Sequence, residues 1–179
     1  MAPVHIAAEN DNRETIVALR DLGANLLSKN KQRHLSAAGL AAEAGHLEVL
    51  KLLNELTNGS IFDTDPLAVT AALNGHVEVV QYLADCNATK TKGAGGWTAL
   101  FAAAWAGHAD MVHALGSVDP TALSVLTANE HLDVPPGTSP RGIAESKGHV
   151  LVLEAIRALE ASAVVTSKPR PIPEGECFE

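Results

Sequence analysis

The chain has 179 residues, a formal net charge of −8, 46% hydrophobic residues and only 3% aromatic residues. This acidic balance argues against nucleic acid as a general partner, because phosphate binding needs a basic surface. No signal peptide follows Met1, no apolar run reaches membrane-spanning length, and Cys86 and Cys177 lie far apart. We therefore expect an intracellular, cytoplasmic protein in a reducing compartment, with no membrane partner and no disulfide framework.

A short sequence unit recurs along the chain. The run A-A-E-A-G-H-L-E-V-L-K-L-L (Ala41–Leu53) returns as A-A-L-N-G-H-V-E-V-V-Q-Y-L (Ala71–Leu83), again from Ala103, and in degraded form from Ala144. Its fixed element is a Gly-His dipeptide, found at Gly45-His46, Gly75-His76, Gly107-His108 and Gly148-His149. A period of roughly 30 to 35 residues predicts a solenoid of stacked units.

One unit shows how the pattern predicts structure. Ser36 is a good N-cap for a short helix of small apolar residues, and Gly45 ends that helix because glycine takes the left-handed conformation without strain. A second helix with a wide apolar face is predicted from Leu47 to about Thr57. The unit is therefore helix, tight turn, helix and extended hairpin, and it must stack on a neighbour to bury its apolar faces.

These residues resemble the ankyrin repeat, whose pattern runs T-P-L-H-x-A-A-x-x-G-H-x-E-x-V-x-x-L-L. Gly96–Leu100 resembles its G-x-T-P-L entry, and Pro3–Ala8 resembles P-L-H-x-A-A, with Asp11-Asn12 replacing Gly-His. The resemblance implies an all-α ankyrin-repeat α-solenoid, built of helix-turn-helix units with β-hairpin finger loops. Five repeats are predicted, at residues 1–30, 31–62, 63–92, 93–125 and 134–161.

Two segments depart from the repeat. Residues 117–138 form an enlarged finger between the fourth and fifth repeats, and Asp119-Pro120-Thr121 predicts one or two helical turns within it. This enlargement is either an insertion tolerated at a surface loop or a functional loop. Residues 162–179 are predicted to form an extended or disordered tail with an acidic end.

No residue pattern predicts catalysis, a cofactor or a metal. His108 and His113 have a zinc-finger-like spacing but lack paired cysteines, and Gly93–Gly96 lacks the lysine and serine or threonine of a phosphate loop. We therefore expect a protein that is not an enzyme. The resemblance instead implies a structural role for the residues at the turns and repeat contacts, which are His5, Gly45, His46, Gly75, His76, Gly107, His108, Gly148 and His149.

The positions where the family varies indicate a binding surface. Leu73 and Trp105 precede the turn glycines of adjacent repeats, and Trp97 precedes the helix cap Thr98. The resemblance places such positions on the concave face and finger side, so we expect these three side chains to form an exposed apolar patch. Tryptophan is over-represented among interface hot spots. The alternative for Trp105 is that it folds back against its own repeat.

Basic residues mark two finger tips on this acidic chain. Lys29, Lys31 and Arg33 lie on the first finger, and Lys90 and Lys92 lie on the third. They would suit an acidic segment of a partner, although a solvated hairpin tip is the alternative. The predicted function is non-catalytic protein binding, as an adaptor, through the concave groove and fingers.

The last helix predicts a further contact. Leu151 stands where earlier copies carry acidic residues, although a terminal repeat should present a polar outer face. The tail, a second copy of the chain or a partner would cover it. Two other functions therefore stay open: a secreted bacterial effector that acts in a host cell, and an architectural subunit of an oligomer.

Overall fold

The computed structural model describes residues 1–128 and 132–166, with their side chains except those of Lys90, Pro120 and residues 163–166. In this part of the chain, ten α-helices form five helix-turn-helix pairs. The first helices of the pairs are α1 (Pro3–Glu9), α3 (Ala37–Ala44), α5 (Leu67–Leu73), α7 (Ala99–Ala106) and α9 (Pro140–Lys147). The second helices are α2 (Arg13–Asp21), α4 (Leu47–Thr57), α6 (Val77–Asp85), α8 (Ala109–Val118) and α10 (Val150–Thr166).

The pairs stack in sequence order. Each first helix packs against the first helix of the next pair, and each second helix contacts the second helix of the next pair. The first-helix layer can pack closely because its buried face is built of small residues: Ala37, Ala38, Ala41 and Ala42 are all buried in α3. The prediction of an all-α repeat solenoid is therefore confirmed.

Side-chain caps and left-handed glycines set the ends of the first helices. The Ser36 hydroxyl accepts a hydrogen bond from the Gly39 N–H at 3.2 Å, and the Thr98 hydroxyl accepts one from the Phe101 N–H at 3.1 Å. At the other end, Gly45 takes the left-handed conformation with φ 80°. These short polar and glycine signals were visible in the sequence.

The prediction of β-hairpin fingers is wrong for the described residues, because none of them forms a β-strand. The connections instead contain 3-10 helices at Ser60–Asp63, Ala88–Lys90, Ala94–Gly96 and Pro120–Ser124. After α4, Asn58 and Gly59 are both left-handed, with φ values of 50° and 85°. Asn58 is the C-cap of α4, so the tight turn ends the helix and leads directly into a 3-10 helix rather than a strand.

The enlarged finger begins with the 3-10 helix Pro120–Ser124, where the Asp119 carboxylate accepts a hydrogen bond from the Thr121 N–H at 3.0 Å. Backbone hydrogen bonds close its base: the Thr127 N–H donates to the Thr138 carbonyl at 3.1 Å, and the Gly137 N–H donates to the Thr127 carbonyl at 2.9 Å. Thr127 is therefore held against Gly137 and Thr138, just before α9 begins.

Helix α10 is longer than predicted. It continues to Thr166, so residues 162–166 of the predicted tail are helical, while the predicted tail from residue 167 onward lies outside the described residues. The helix packs closely against α8, because a Cβ atom added to Gly116 would lie 2.4 Å from the Leu159 Cδ1 atom. Burial of Val152, Ile156 and Leu159 along α10 gives this longer helix its apolar contact face.

Candidate functional site

The turn histidines lie at contacts between successive helix pairs. The His46 Nε2 atom is 3.0 Å from the Glu9 carbonyl oxygen, and the His76 Nε2 atom is 2.8 Å from the Glu43 carbonyl oxygen. His149 makes the same contact with the Trp105 carbonyl oxygen at 3.1 Å. Because a carbonyl oxygen only accepts, each Nε2 atom carries a hydrogen and donates a hydrogen bond to a backbone carbonyl of the preceding pair.

The turn glycines lie directly beneath these imidazole rings. A Cβ atom added to Gly45 would lie 2.5 Å from the His76 Nδ1 atom, and one added to Gly75 would lie 2.9 Å from the His108 Cε1 atom. Gly148 has the same left-handed backbone, but no atom lies within 4 Å of its added Cβ. Gly45 is therefore needed for two reasons. Its left-handed backbone forms the turn, and a side chain there would overlap the His76 ring of the next pair.

The first pair has different residues at its turn. Asp11 takes the left-handed position with φ 54°, and the Asn12 side chain caps its own helix by accepting a hydrogen bond from the Thr15 N–H. His5 is buried: its Nδ1 atom accepts from the Ala2 N–H at 3.2 Å, and its Nε2 atom donates to the Ser28 carbonyl at 2.8 Å. His5 therefore connects α1 to the first finger through its hydrogen bond to Ser28.

One position of each first helix forms a row, which we name the groove row. It lies two residues before each turn glycine, and its members in the three central pairs are Glu43, Leu73 and Trp105. All three side chains are half-buried, and helices α5 and α7, which carry Leu73 and Trp105, pack against each other. The structure therefore places Leu73 and Trp105 at matching positions of adjacent helices.

The prediction that Trp97 contributes to an exposed patch is wrong. Trp97 is only 1% exposed, and its ring packs against those of Phe101 and Trp105, with centroid distances of 4.9 Å and 5.6 Å. The preceding finger folds back over this position, with the Gly93 N–H donating to the Trp97 carbonyl at 2.8 Å. Trp97 is a core residue, and Phe101, which was not predicted from the sequence, packs in the same aromatic cluster.

Lys147 was also missed, and it contacts the groove row. Its ammonium group lies over the Trp105 ring, with the Nζ atom 4.3 Å from the ring centroid. The Trp105 indole nitrogen is buried, and no described residue accepts a hydrogen bond from it. Trp105 is thus partly buried within the stacked pairs, and one face of its ring contacts the Lys147 ammonium group of the next pair.

Two of the predicted basic finger residues form ion pairs. Lys29 forms an ion pair with the buried Asp65 at 3.0 Å, and Arg33 forms an ion pair with Glu43. Asp65 also accepts a hydrogen bond from the Ser36 N–H at 2.8 Å, so this carboxylate joins the second and third pairs. Both basic residues therefore contribute to the packing of the array.

The remaining basic residues are exposed where they are described. Lys31 and Lys92 are exposed, while the side chain of Lys90 lies outside the described residues. The predicted terminal contact, Leu151, is 68% exposed, and its neighbour Val150 is 63% exposed. The contact expected at Leu151 stays a prediction.

An open groove of about 650 Å³ lies between α2 and α4, in the second-helix layer. It is lined mainly by polar and charged side chains, including Arg13, Glu48 and Lys51. A hydrogen bond from Lys51 and the charge of Lys51 lower the pKa of Glu48, so this carboxylate stays ionised at neutral pH. Among the described residues, no group of histidine, cysteine and acidic side chains could hold a metal ion.

Comparison with known families gives one match. Residues 39–124 match the family model of ankyrin repeats, in three copies, and this confirms the predicted family. The match runs from α3 to the 3-10 helix after α8, so the count of five repeats stays a prediction. No curated protein matches the chain. Across the described residues, no helix has both the length and the apolar character needed to cross a membrane.

Proposed function

Because the chain belongs to the ankyrin repeat family, whose repeats are generally non-catalytic protein-interaction modules, we propose that it binds a protein partner through the groove row and adjoining fingers. The observation that carries this proposal is the half-buried pair Leu73 and Trp105, at matching positions of adjacent helices. Partly exposed apolar side chains on rigid helices can contact a partner at little entropic cost.

The proposed surface is narrower than the sequence predicted. It contains Leu73 and Trp105, with the exposed Lys31 and Lys92 on the first and third fingers, and it omits the buried Trp97. Lys29 and Arg33 contribute less to this surface, because their charges are engaged by Asp65 and Glu43. The proposal includes no enzymatic activity, cofactor or nucleic-acid partner.

We place this binding inside the cell. Cys86 is a free, half-buried thiol, which suits a reducing compartment.

Replacing Leu73 with Asp should reduce partner capture about tenfold or more, because a charge would have to be desolvated within the interface. The full-length wild type and variant are each used to capture proteins from a lysate of the source cells, and bound proteins are quantified by mass spectrometry. Leu22→Asp is the matched control, because Leu22 is 83% exposed at the end of α2 and lies outside the groove row.

The supporting result is one protein that wild type and Leu22→Asp capture equally and Leu73→Asp loses. Far-ultraviolet circular dichroism of the variants checks that helical content is retained. Equal capture by Leu73→Asp and wild type would contradict the proposed surface.

A further inference from the structure

We propose that the groove row accepts an acidic side chain of the partner at Trp105 and Lys147, next to an aliphatic side chain on Leu73. This inference rests on the proposed function and specifies the chemistry of the segment that binds there. It is carried by three features of the described residues: an indole N–H without an acceptor, an ammonium group without a carboxylate, and the charge distribution along the row.

The first feature is the indole N–H of Trp105. Its nitrogen is buried, and no described residue accepts a hydrogen bond from it. A buried donor without an acceptor is unfavourable, because it has lost its hydrogen bonds to water. Lys147 lies over the ring at 4.3 Å, so an acceptor that reaches the indole N–H would also lie close to its ammonium group. A partner carboxylate, which only accepts, fits this need.

The second feature is the charge of Lys147. Its contact in the structure is the Trp105 ring, and no described ion pair includes it. Arg141, on the same helix, shows the contrast, because it pairs with Glu145 and Glu160 at 3.0 Å and 3.2 Å. Lys147 is therefore the cation of α9 that remains available to an incoming carboxylate.

The third feature is the distribution of charge along the row. The carboxylate of Glu43 is engaged by Arg33, and Leu73 is apolar. Beyond Trp105, the Ser146 hydroxyl donates to the Ile143 carbonyl at 2.9 Å and adds no charge. The positive charge of Lys147 is therefore not offset within the central and last part of the row. A basic partner residue would be repelled there, whereas an acidic one is attracted.

The neighbouring contact follows from the stacking of the pairs. Leu73 lies at the position matching Trp105 in the preceding first helix, and α5 packs against α7. A segment that reaches from α9 toward α5 would thus place its carboxylate near Trp105 and Lys147 and an aliphatic side chain on Leu73. The expected motif is an Asp or Glu about two or three positions from Leu, Ile or Val, because packed helices lie roughly 8–10 Å apart and an extended chain advances about 3.3 Å per residue.

Selection from a phage-displayed library of random peptides, with the full chain immobilised, tests this motif. Selected peptides are synthesised with a fluorescent label, and their affinities are measured by fluorescence anisotropy. We expect enrichment of an acidic residue about two or three positions from an aliphatic one, because the two contact different helices. Binding to Lys147→Met should be about tenfold weaker, because a charge-assisted hydrogen bond is lost. Lys147→Arg should retain binding, and Lys51→Met, in the second-helix layer, should match wild type.

A second readout follows the hydrogen bond itself. The two indole N–H signals of the protein are resolved by NMR with ¹⁵N labelling, and Trp105→Phe assigns them. Addition of a selected acidic peptide should shift the Trp105 indole proton downfield, as expected when an acceptor is gained. The same peptide with Gln in place of its acidic residue should give a smaller shift and weaker binding.

The outcomes separate this inference from the proposed function. Peptides that lose affinity for Leu73→Asp but carry no acidic residue, or that bind Lys147→Met as well as wild type, would overturn the acidic-site inference alone. A selection in which no peptide is sensitive to Leu73→Asp or Trp105→Ala would contradict both.

Discussion

Trp97→Ala should lower the free energy of unfolding by about 3–5 kcal/mol, the range for removing a large aromatic side chain from a core. The side chain is 1% exposed and packs against both Phe101 and Trp105. Its loss would leave a cavity beneath the third finger and remove two aromatic contacts, each worth roughly 0.5–1.5 kcal/mol beyond buried area. Urea denaturation followed by circular dichroism measures the change.

Trp105→Ala is the matched control for this prediction. Trp105 is only half-buried, whereas Trp97 is 1% exposed, so truncating Trp105 removes less buried apolar surface and leaves a smaller cavity. Its loss should therefore destabilise the protein clearly less than the loss of Trp97. Equal destabilisation by the two substitutions, or a Trp97→Ala variant as stable as wild type, would contradict the core position of Trp97.

Gly45→Ala should destabilise the array more than Gly148→Ala, although both glycines end a first helix in the left-handed conformation. The backbone cost is common to both, at roughly 1–2 kcal/mol for a residue with a Cβ atom. At Gly45 the new Cβ atom would also lie 2.5 Å from the His76 ring, which is held by its hydrogen bond to the Glu43 carbonyl. Relieving that overlap displaces the ring, so we expect about 1 kcal/mol or more of additional loss.

The two glycine variants form a matched pair because the added Cβ atom at Gly148 meets nothing within 4 Å. The difference between their unfolding free energies therefore isolates the contact between successive pairs. Denaturant titration of both variants and wild type gives that difference. If Gly148→Ala proved as destabilising as Gly45→Ala, the close packing of His76 over the turn would contribute nothing to the free energy of unfolding.

The repeat itself could be predicted from the sequence because its signals are local. Gly45 and Gly107 end helices by a backbone conformation that glycine favours, and Ser36 and Thr98 begin them through caps. These effects depend on residues within a few positions of one another. A regular period then implies stacking, since one pair cannot bury its apolar faces alone.

The site was predicted less well because it depends on contacts between pairs. Trp97 is buried by a finger fold and by aromatic neighbours, and the enlarged finger adds a further contact, since the Ala128 N–H donates to the Gly95 carbonyl at 2.8 Å. No local pattern shows that contact. One signal was available: Phe101 and Trp105 are spaced four residues apart on one face of α7, and Trp97 lies four residues before Phe101, next to the helix cap Thr98.

The contact of Lys147 and the structure of the fingers also depend on tertiary packing, which local sequence does not show. The contact of Lys147 with Trp105 joins neighbouring pairs, so it required the packing of α7 against α9 to be known. The Asn58-Gly59 dipeptide is a strong hairpin signal, yet here Asn58 serves as the C-cap of α4. A local signal for a turn was correct, but the tertiary context determined what followed it.

A protein partner that binds at the groove row should slow the exchange of backbone amide hydrogens there. Hydrogen–deuterium exchange of the full chain, with and without the purified partner, measures this. Added protection should be concentrated at the ends of α5 and α7 around Leu73 and Trp105, and at the start of the turn before α10. Protection confined to the second-helix layer, on α4 and α6, would contradict binding at the groove row.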